Sequence, residues 1–304
     1  MEIYLPIAEI PVNILLLLLV GFFAGILSGL FGIGGGFIMT PLLMFMGISP
    51  AIAVASSANQ IIASSFSGFI AHCRRRNVDF KMGYILIIGG FFGSSLGIWI
   101  FKILKNFGQI DMVISSLYVF ILGTIGISMS YESFRAVLNI KSEHRLSRKK
   151  EVLFSKMPYK VYFPRSELEV SIIVPIIISF LAGILVSIMG IGGGFIMIPA
   201  MIYIIGMPTN VVIGTSLFQV IFVTSNVTML HAFTTQSVDI ILAGILLTSS
   251  VIGAQFGTRL GIYISAEKLR AFLALMIIIV VARLAAGFFI EPQNLFEIVN
   301  ITEK

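Results

Sequence analysis

Two glycine clusters in this sequence have the composition to bind an anion through backbone groups. The sequence GIGGGFIM begins at Gly32 and recurs, with every residue identical, 158 positions later at Gly190. An apolar run leads into each cluster, and glycine lets a chain turn and a ligand approach the backbone. A helix that restarts after such a break exposes its first N–H groups and the positive end of its dipole. The candidate glycines are Gly34, Gly35 and Gly36 in the first copy and Gly192, Gly193 and Gly194 in the second.

Close helix packing is the alternative role for these glycines, because small residues let helices approach each other. The segment lengths favour a break. The apolar run 37–47 would give a helix of about 16 Å, whereas the hydrocarbon core of a bilayer is about 30 Å thick. The sequence leaves open whether the segments on either side of each cluster both cross the membrane or form a re-entrant hairpin.

Polar side chains at helical spacing are candidates to surround the same site. They lie on the third and eighth apolar segments, 50–72 and 209–232, and buried amides and hydroxyls need partners. Such groups either bind an anion or bond neighbouring helices, and the pattern leaves both roles open. Arg283, in the last segment, would either balance the charge of an anion or extend to the outer surface. The other polar candidates are Ser57, Asn59, Gln60, Thr215, Ser216, Gln219 and Asn226.

The composition puts most of this chain in lipid. It is 58% hydrophobic and 11% charged, with a mean hydropathy of +1.05, whereas soluble domains carry roughly a quarter charged residues. The net charge of +6 is confined to a few loops, which does not suggest nucleic acid. The single cysteine, Cys73, excludes an internal disulfide and a multi-cysteine metal site. Because no motif for metal binding, hydrolysis or phosphate binding appears, we expect no catalytic residues, no metal and no cofactor.

Apolar segments predict an all-α polytopic membrane protein made of two repeats. Each half has about five segments, and this odd number gives the halves inverted topology. A parallel arrangement, with each broken pair counted as one span, would put basic residues outside and the acidic C-terminal tail inside, so the charge pattern disfavours it. The predicted domains are an N-terminal membrane repeat at 1–130, a linker at 131–169 and a C-terminal membrane repeat at 170–304. The linker is most simply a solvated connector, although its basic residues could bind anionic lipid. The duplication also aligns two packing triads, Gly89, Gly93 and Gly97 with Gly253, Gly257 and Gly261.

Lysine and arginine set the predicted orientation. Basic residues cluster after the third segment, in the linker and between the ninth and tenth segments, so these places are assigned to the cytoplasm. Both termini, which are acidic, then fall outside. His72 and His231 occupy matching positions near segment ends, where a histidine is either interfacial or a proton relay.

The sequence resembles the sulfite exporter TauE/SafE family of membrane transporters, also called the TSUP family. The resemblance rests on AGILSGLFGIGGGFIMTPLL and its repeat AGILVSIMGIGGGFIMIPA, on Ser56-Ser57 and Gly214-Thr215-Ser216, and on GAQFGTRLG from Gly253. It implies a bacterial inner-membrane permease for sulfur-containing anions such as sulfite or sulfonates. It also implies an ion gradient as the driving force, with a proton or sodium as the coupling ion.

The residues and the resemblance together predict a secondary transporter for a small anion, working by alternating access between the two repeats. An anion channel is the nearest alternative. A membrane scaffold would not need paired helix breaks. A membrane enzyme would need a paired nucleophile and base or metal ligands, whereas the polar residues are isolated, so we expect no enzyme activity. Substrate identity, direction of transport and oligomeric state are not predicted.

Overall fold

The fold is known from a computed structural model. It describes residues 2–31, 33–128, 130, 158–261, 263 and 266–289. These residues are predominantly helical, which confirms the predicted all-α polytopic class, and two short β-hairpins accompany the helices. Several helices are long and apolar enough to cross a membrane. These spans are Ile14–Phe31, Phe80–Asn106, Ile110–Ser128, Val211–Thr235 and Ile240–Leu260.

The elements of the first half follow one another closely along the chain. Strands β1 and β2 form a hairpin that leads directly into the first helix. A π-helical turn, Tyr118–Leu122, continues the last helix of this half. The elements are β1 (Glu2–Leu5), β2 (Ile10–Asn13), α1 (Ile14–Phe31), α2 (Gly36–Phe45), α3 (Pro50–Arg74), α4 (Phe80–Asn106) and α5 (Ile110–Leu117).

The second half repeats this order. Its hairpin again precedes a long helix, a glycine cluster and a short helix. Turns of π-helix continue α7 over Met201–Ile205 and α8 over His231–Thr235. The elements are β3 (Lys160–Phe163), β4 (Leu168–Ser171), α6 (Ile173–Met189), α7 (Gly194–Ala200), α8 (Thr209–Leu230), α9 (Ile240–Leu260) and α10 (Ala266–Phe289).

Each glycine cluster is the tip of a helical hairpin. A Cβ atom built on Gly35 would lie 2.7 Å from the carbonyl oxygen of Ala24, so the chain has already turned back along α1 at this point. Leu17, near the start of α1, and Leu43, near the end of α2, share one buried cluster with Leu5 of β1. The short helix α2 therefore returns to the side on which α1 began. The glycine break between the two helices lies inside the protein.

The second glycine cluster has the same geometry. The Cβ position of Gly193 lies 3.4 Å from Val186 of α6. Val174 at the start of α6 and Ile205 at the end of α7 share a buried cluster with Phe163 of β3. The pair α6–α7 is thus a second helical hairpin, and both are re-entrant in shape.

The first helix of each half packs along the fourth helix of the other half. Helix α1 lies against α9, and α6 lies against α4. The backbones approach closely enough that a Cβ atom on Gly183 of α6 would lie 2.5 Å from the Gly90 oxygen of α4. Gly25 of α1, 158 positions earlier, meets the oxygen of Ser250 in α9 in the same way. These crossed contacts tie the halves together.

The packing role predicted for the glycine triads is confirmed, but their predicted alignment is wrong by one helical turn. Gly93 packs on the carbonyl of Phe180, and Gly253 packs on the carbonyl of Phe22. Phe22 and Phe180 are 158 positions apart, the offset of the glycine clusters, so Gly253 is equivalent to Gly93 and not to Gly89. Glycines spaced four residues apart align equally well after a shift of four residues. The sequence alone therefore did not determine which glycine of one triad is equivalent to which glycine of the other.

The two β-hairpins are also copies of each other. Glu2 pairs with Asn13 in the first, and Lys160 pairs with Ser171 in the second, again 158 positions apart. Phe163 in the second hairpin is fully buried. The end of the stretch predicted as a solvated linker is therefore folded and begins the second repeat. The rest of that stretch, 131–157, lies outside the described residues.

Two buried aspartates each cap a helix and also form a hydrogen bond with one of these hairpins. Asp79 Oδ1 accepts a hydrogen bond from Met82 N at the start of α4 (3.1 Å), and its Oδ2 accepts one from Ser166 Oγ in the second hairpin (2.7 Å). Asp239 caps α9, and its Oδ2 accepts from Ile7 N in the first hairpin (3.0 Å). Asp79 follows the end of α3 in sequence, whereas the N–H of Asp239 bonds to a serine near the start of α3 (3.2 Å). The two hairpins thus close opposite ends of the helix bundle.

We expect Ser166→Ala to loosen the second hairpin without unwinding α4. The substitution removes a buried hydrogen bond to a carboxylate, worth about 1.5–3 kcal/mol, but leaves the Asp79–Met82 cap. Amide hydrogen exchange across 160–171 should accelerate, while exchange in the first turn of α4 stays slow. Ser171→Ala is the matched control, because its hydroxyl bonds to Pro158 O and not to Asp79. Unchanged exchange in the hairpin of the Ser166 variant would contradict this role.

Candidate functional site

The tips of the two helical hairpins meet. A Cβ atom on Gly36 would lie 2.5 Å from the carbonyl oxygen of Gly190, and one on Gly194 would lie 2.9 Å from the carbonyl oxygen of Ile33. Real Cβ atoms essentially never approach backbone that closely, so both contacts require glycine. The two helix breaks are therefore in direct backbone contact.

An aromatic pair holds the two restarting helices against each other. Phe37 and Phe195 directly follow the glycines, and their rings stack with centroids 5.0 Å apart and planes 12° apart. Both side chains are buried. Stacked aromatic pairs of this kind contribute about 0.5–1.5 kcal/mol beyond their buried area. The pair fixes the relative positions of the first turns of α2 and α7.

Left-handed backbone shapes both breaks. Gly34 and Gly35 have φ of 88° and 72°, and Gly190 and Gly192 have φ of 66° and 69°. Only glycine adopts these angles readily. The turn at Gly35 brings its carbonyl oxygen to the N–H groups of residues three and four positions on, at 3.4 and 3.3 Å. The N–H groups before them, at the start of α2, have no partner inside the helix and point towards the break.

Unpartnered polar side chains line the first break. Gln60 of α3 is fully buried, its Nε2 lies 3.4 Å from the Cβ position of Gly35, and neither of its amide atoms has a hydrogen-bond partner among the described residues. Ser28 and Ser65 face Gly35 and Gly34 respectively, and their hydroxyls are also unpartnered. A buried polar group without a partner lowers stability by about 1–3 kcal/mol. A polar ligand bound here could form hydrogen bonds with these free donors and acceptors.

Ser57 also lies at the breaks, as predicted. Its Oγ lies 3.0 Å from the Cβ position of Gly190 and 2.8 Å from Thr40 Oγ1 of α2. Ser64 of α3 donates to the carbonyl oxygen of Gly34 (3.3 Å). Ser64 thus bonds a backbone carbonyl of the break, whereas Ser57 also donates to Val54 O in its own helix (3.0 Å).

Sequence reasoning missed several side chains at the breaks. Thr40, Ser28 and Ser65 were not singled out. Tyr118, in the π-helical turn after α5, donates from its buried hydroxyl to the carbonyl oxygen of Met189 (2.6 Å), at the end of α6. The available signal was a tyrosine inside an otherwise apolar segment, since a buried phenol hydroxyl needs a partner.

The polar candidates of α8 lie elsewhere. Thr215 Oγ1 accepts from Asp79 N (2.9 Å), so Thr215 serves the capped start of α4. Ser216 donates to the carbonyl three residues before it in its own helix. Asn226 Nδ2 donates to Ser94 Oγ of α4 (2.9 Å). For these three side chains, the structure has helix–helix or helix-end bonds rather than contact with the breaks.

The two equivalent glutamines differ in their surroundings. Gln219 Nε2 donates to Ser179 Oγ (3.2 Å) between α8 and α6, and its Oε1 is unpartnered among the described residues. Gln60, by contrast, has neither amide atom bonded and faces a glycine of the break. Its neighbour Asn59 has a buried Nδ2 without a described partner, which keeps Asn59 as a candidate.

Two further candidates lie away from the glycines. The guanidinium of Arg283 lies over the ring of Phe45, 5.5 Å from its centroid, at the far end of α2 from the break. His231 is buried, with Nε2 3.1 Å from Ser187 O and Nδ1 3.1 Å from Thr235 Oγ1. The side chains found at the breaks are uncharged, so any anion there would be held by backbone N–H groups, amides and hydroxyls.

The fold defines a class of protein: a polytopic helical membrane protein with paired helix breaks of the kind found in secondary transporters. Comparison with known proteins gives the family. The family model described as Sulfite exporter TauE/SafE matches residues 17–284, and the chain belongs to this family of membrane transporters. The resemblance seen in the sequence is thereby confirmed.

Relatives are found in bacteria and plants. The chain is 29% identical to the "Probable membrane transporter protein YjnA" of Bacillus subtilis, over 86% of this chain and 96% of the relative. It is 29% identical to the "Probable membrane transporter protein YunE" of the same organism, over 82% and 87%. It is 31% identical to "Sulfite exporter TauE/SafE family protein 6" of Arabidopsis thaliana, over 34% and 23%. No solved structure gives a significant match.

Proposed function

We propose that this membrane transporter carries a small anion that binds between its two glycine breaks. The observation that carries the proposal is the contact between the breaks, with the fully buried amide of Gln60 unpartnered beside Gly35. Backbone N–H groups at two helix starts favour negative charge. Gln60, Ser28, Ser65 and the glycines then form the binding site. Ser57 and Asn59 remain candidates beside it, whereas Thr215, Ser216 and Asn226 support the surrounding helices.

In this proposal the halves are inverted repeats that give alternating access. The hairpin α1–α2 and the hairpin α6–α7 enter from opposite ends of α3 and touch at their tips. Because α1 packs on α9 and α6 on α4, one hairpin and its partner helix form a body that can tilt against the other. Separation of the tips from one side and then from the other would expose the site to each side in turn.

The substrate class is a sulfur-containing oxyanion, such as sulfite or an organic sulfonate, moved with a proton or sodium as the coupling ion. The name of the plant relative includes sulfite export, and the family description does the same. A charge-neutral site of amides, hydroxyls and backbone N–H groups suits an oxyanion with several acceptor oxygens. The setting is the inner membrane of a bacterium, with both termini outside and the linker 131–169 in the cytoplasm.

Flux in proteoliposomes tests the transport proposal against a channel. Radiolabelled sulfite uptake should saturate with concentration and should be stimulated by unlabelled sulfite on the opposite side, because a carrier returns faster when loaded. Uptake that rises linearly and shows no counterflow would favour the channel instead. If sulfite, thiosulfate, sulfonates and carboxylates all fail to cross above the rate of empty liposomes, the proposal is wrong.

A further inference from the structure

A second candidate site for an anion lies at one end of the bundle, apart from the glycine breaks. A pocket of about 300 Å³ opens between the turn that joins α3 to α4 and the second β-hairpin. Residues with cationic side chains line both walls: Arg76 and Lys81 in the turn and helix, and Arg165 in the hairpin. Cys73, the single cysteine of the chain, also lines it.

The carboxylate in the pocket wall offsets only one of these three cations. Asp79 is buried, and its two oxygens already accept hydrogen bonds from Met82 N and Ser166 Oγ. Lys81 Nζ donates to Tyr162 O in the hairpin (2.9 Å). Three cations and one carboxylate leave the lining with an excess of positive charge. Because Asp79 caps α4, the charge of the pocket comes from side chains and not from a free helix end.

The scaffold does not need these cations. At the opposite end of the bundle the equivalent turn has Gln236 in place of Arg76, with the same left-handed backbone (φ of 48° and 57°). Ile241 stands in place of Lys81, and Ile7 in place of Arg165. A similar aspartate-capped turn and hairpin thus form with no cation at these three positions. The preference of basic residues for the cytoplasmic side explains on which side of the membrane they lie. It does not explain why two segments distant in sequence place them around the same pocket.

We propose that this pocket binds an oxyanion, a sulfate, sulfonate or phosphate group, clamped between Arg76 and Arg165. Guanidinium groups match the paired oxygens of such anions and form forked, charge-assisted hydrogen bonds. The anion is either free in solution or the head group of an anionic lipid, and both present the same chemistry. Binding would link the hairpin to the α3–α4 turn, beside the contact between Asp79 and Ser166.

Modification of Cys73 reports occupancy of the pocket directly. The 304-residue chain contains no other cysteine, so the rate of reaction with N-ethylmaleimide measures access to Cys73. In detergent, sulfate should slow the reaction several-fold relative to chloride at equal ionic strength. In nanodiscs, phosphatidylglycerol should slow it relative to phosphatidylcholine if the ligand is a lipid head group. Protection in either arm supports the pocket and identifies the source of the anion.

Variants separate this site from the central one. Arg76→Gln and Arg165→Gln should each remove the protection, whereas Arg259→Gln, an exposed cation at the end of α9 outside the pocket, should keep it. Gln60→Met, which alters the central site, should also keep it. Protection that survives both pocket variants would mean that sulfate acts elsewhere, and would overturn the proposal while leaving transport intact. No protection by sulfate or by anionic lipid overturns it as well.

Discussion

Gly36→Ala is expected to reduce anion flux by about 100-fold or more while the protein still inserts and purifies as a single species. The added methyl group would lie 2.5 Å from the carbonyl oxygen of Gly190, so the two hairpin tips must move apart. Misplacement of a binding geometry by about 1 Å can cost about 100-fold in rate. Gly194→Ala should act in the same direction, because its methyl group would lie 2.9 Å from the oxygen of Ile33.

Gly244→Ala is the matched control for these variants. Gly244 lies within helix α9, and a Cβ atom there would have no neighbour within 4 Å. Alanine is favoured over glycine in a helix by roughly 0.5–1 kcal/mol, so this variant should transport as the wild type does. Counterflow of labelled sulfite, normalised to the protein incorporated, and thermal unfolding in detergent are measured for all three. Flux of Gly36→Ala within two-fold of the control would show that the contact between the tips is unimportant for transport.

The glycine breaks could be predicted because their local chemistry is nearly independent of context. Three consecutive glycines after an apolar helix, followed by a segment too short to span a bilayer, favour an interruption, and a second identical copy excludes chance. Their contact across the molecule depends on how the two halves pack, which no local pattern specifies. The sequence left open whether the short helices complete a membrane crossing or return to the side on which the preceding helix began. The answer depends on which residues pack against Leu43 and Ile205.

The second β-hairpin was missed because the duplication is faint there. Tyr162, Pro164, Glu167 and Val170 match Tyr4, Pro6, Glu9 and Val12, whereas the remaining positions differ. Charged residues in 160–171 resemble the basic linker before them in composition. The hairpin forms because alternate residues face the core, as Phe163 and its cross-strand partner Leu168 do, and a period of two over so few residues is a weak signal.

Some polar candidates face the glycine breaks and others bond neighbouring helices. Their spacing along one helix cannot predict which, because the outcome depends on the residues that pack against them. Gln60 and Gln219 are equivalent in sequence, yet Gln219 bonds Ser179 and Gln60 has no described partner. Helix α1 has a glycine at the position equivalent to Ser179, so Gln60 has no matching hydroxyl to bond. In turn, Ser28 of α1 is replaced by Val186 in α6, so the second break lacks the hydroxyl found at the first. An exact two-fold site is therefore not expected, and the first break contributes most of the polar side chains.

Gln60→Met is expected to make the protein more stable and less able to bind its substrate. Methionine has nearly the shape of glutamine and removes an amide whose two polar atoms are buried without described partners. Relieving that unsatisfied group should raise the free energy of unfolding by about 1–3 kcal/mol. The same amide is proposed to bond the anion, so flux should fall at least about 10-fold, the effect of losing one such bond of about 1.4 kcal/mol.

Gln219→Met tests the same change where the amide is already used. Its Nε2 bonds Ser179, so the substitution should lower the free energy of unfolding by about 1 kcal/mol and leave much of the flux. The measurement is the thermal midpoint with and without sulfite, together with counterflow. Sulfite should raise the midpoint of the wild type and of Gln219→Met, because a ligand that binds only the folded state stabilises it, but not that of Gln60→Met. A Gln60 variant that is less stable and still responds to sulfite would indicate a structural amide, and the anion site would have to lie elsewhere along the two hairpins.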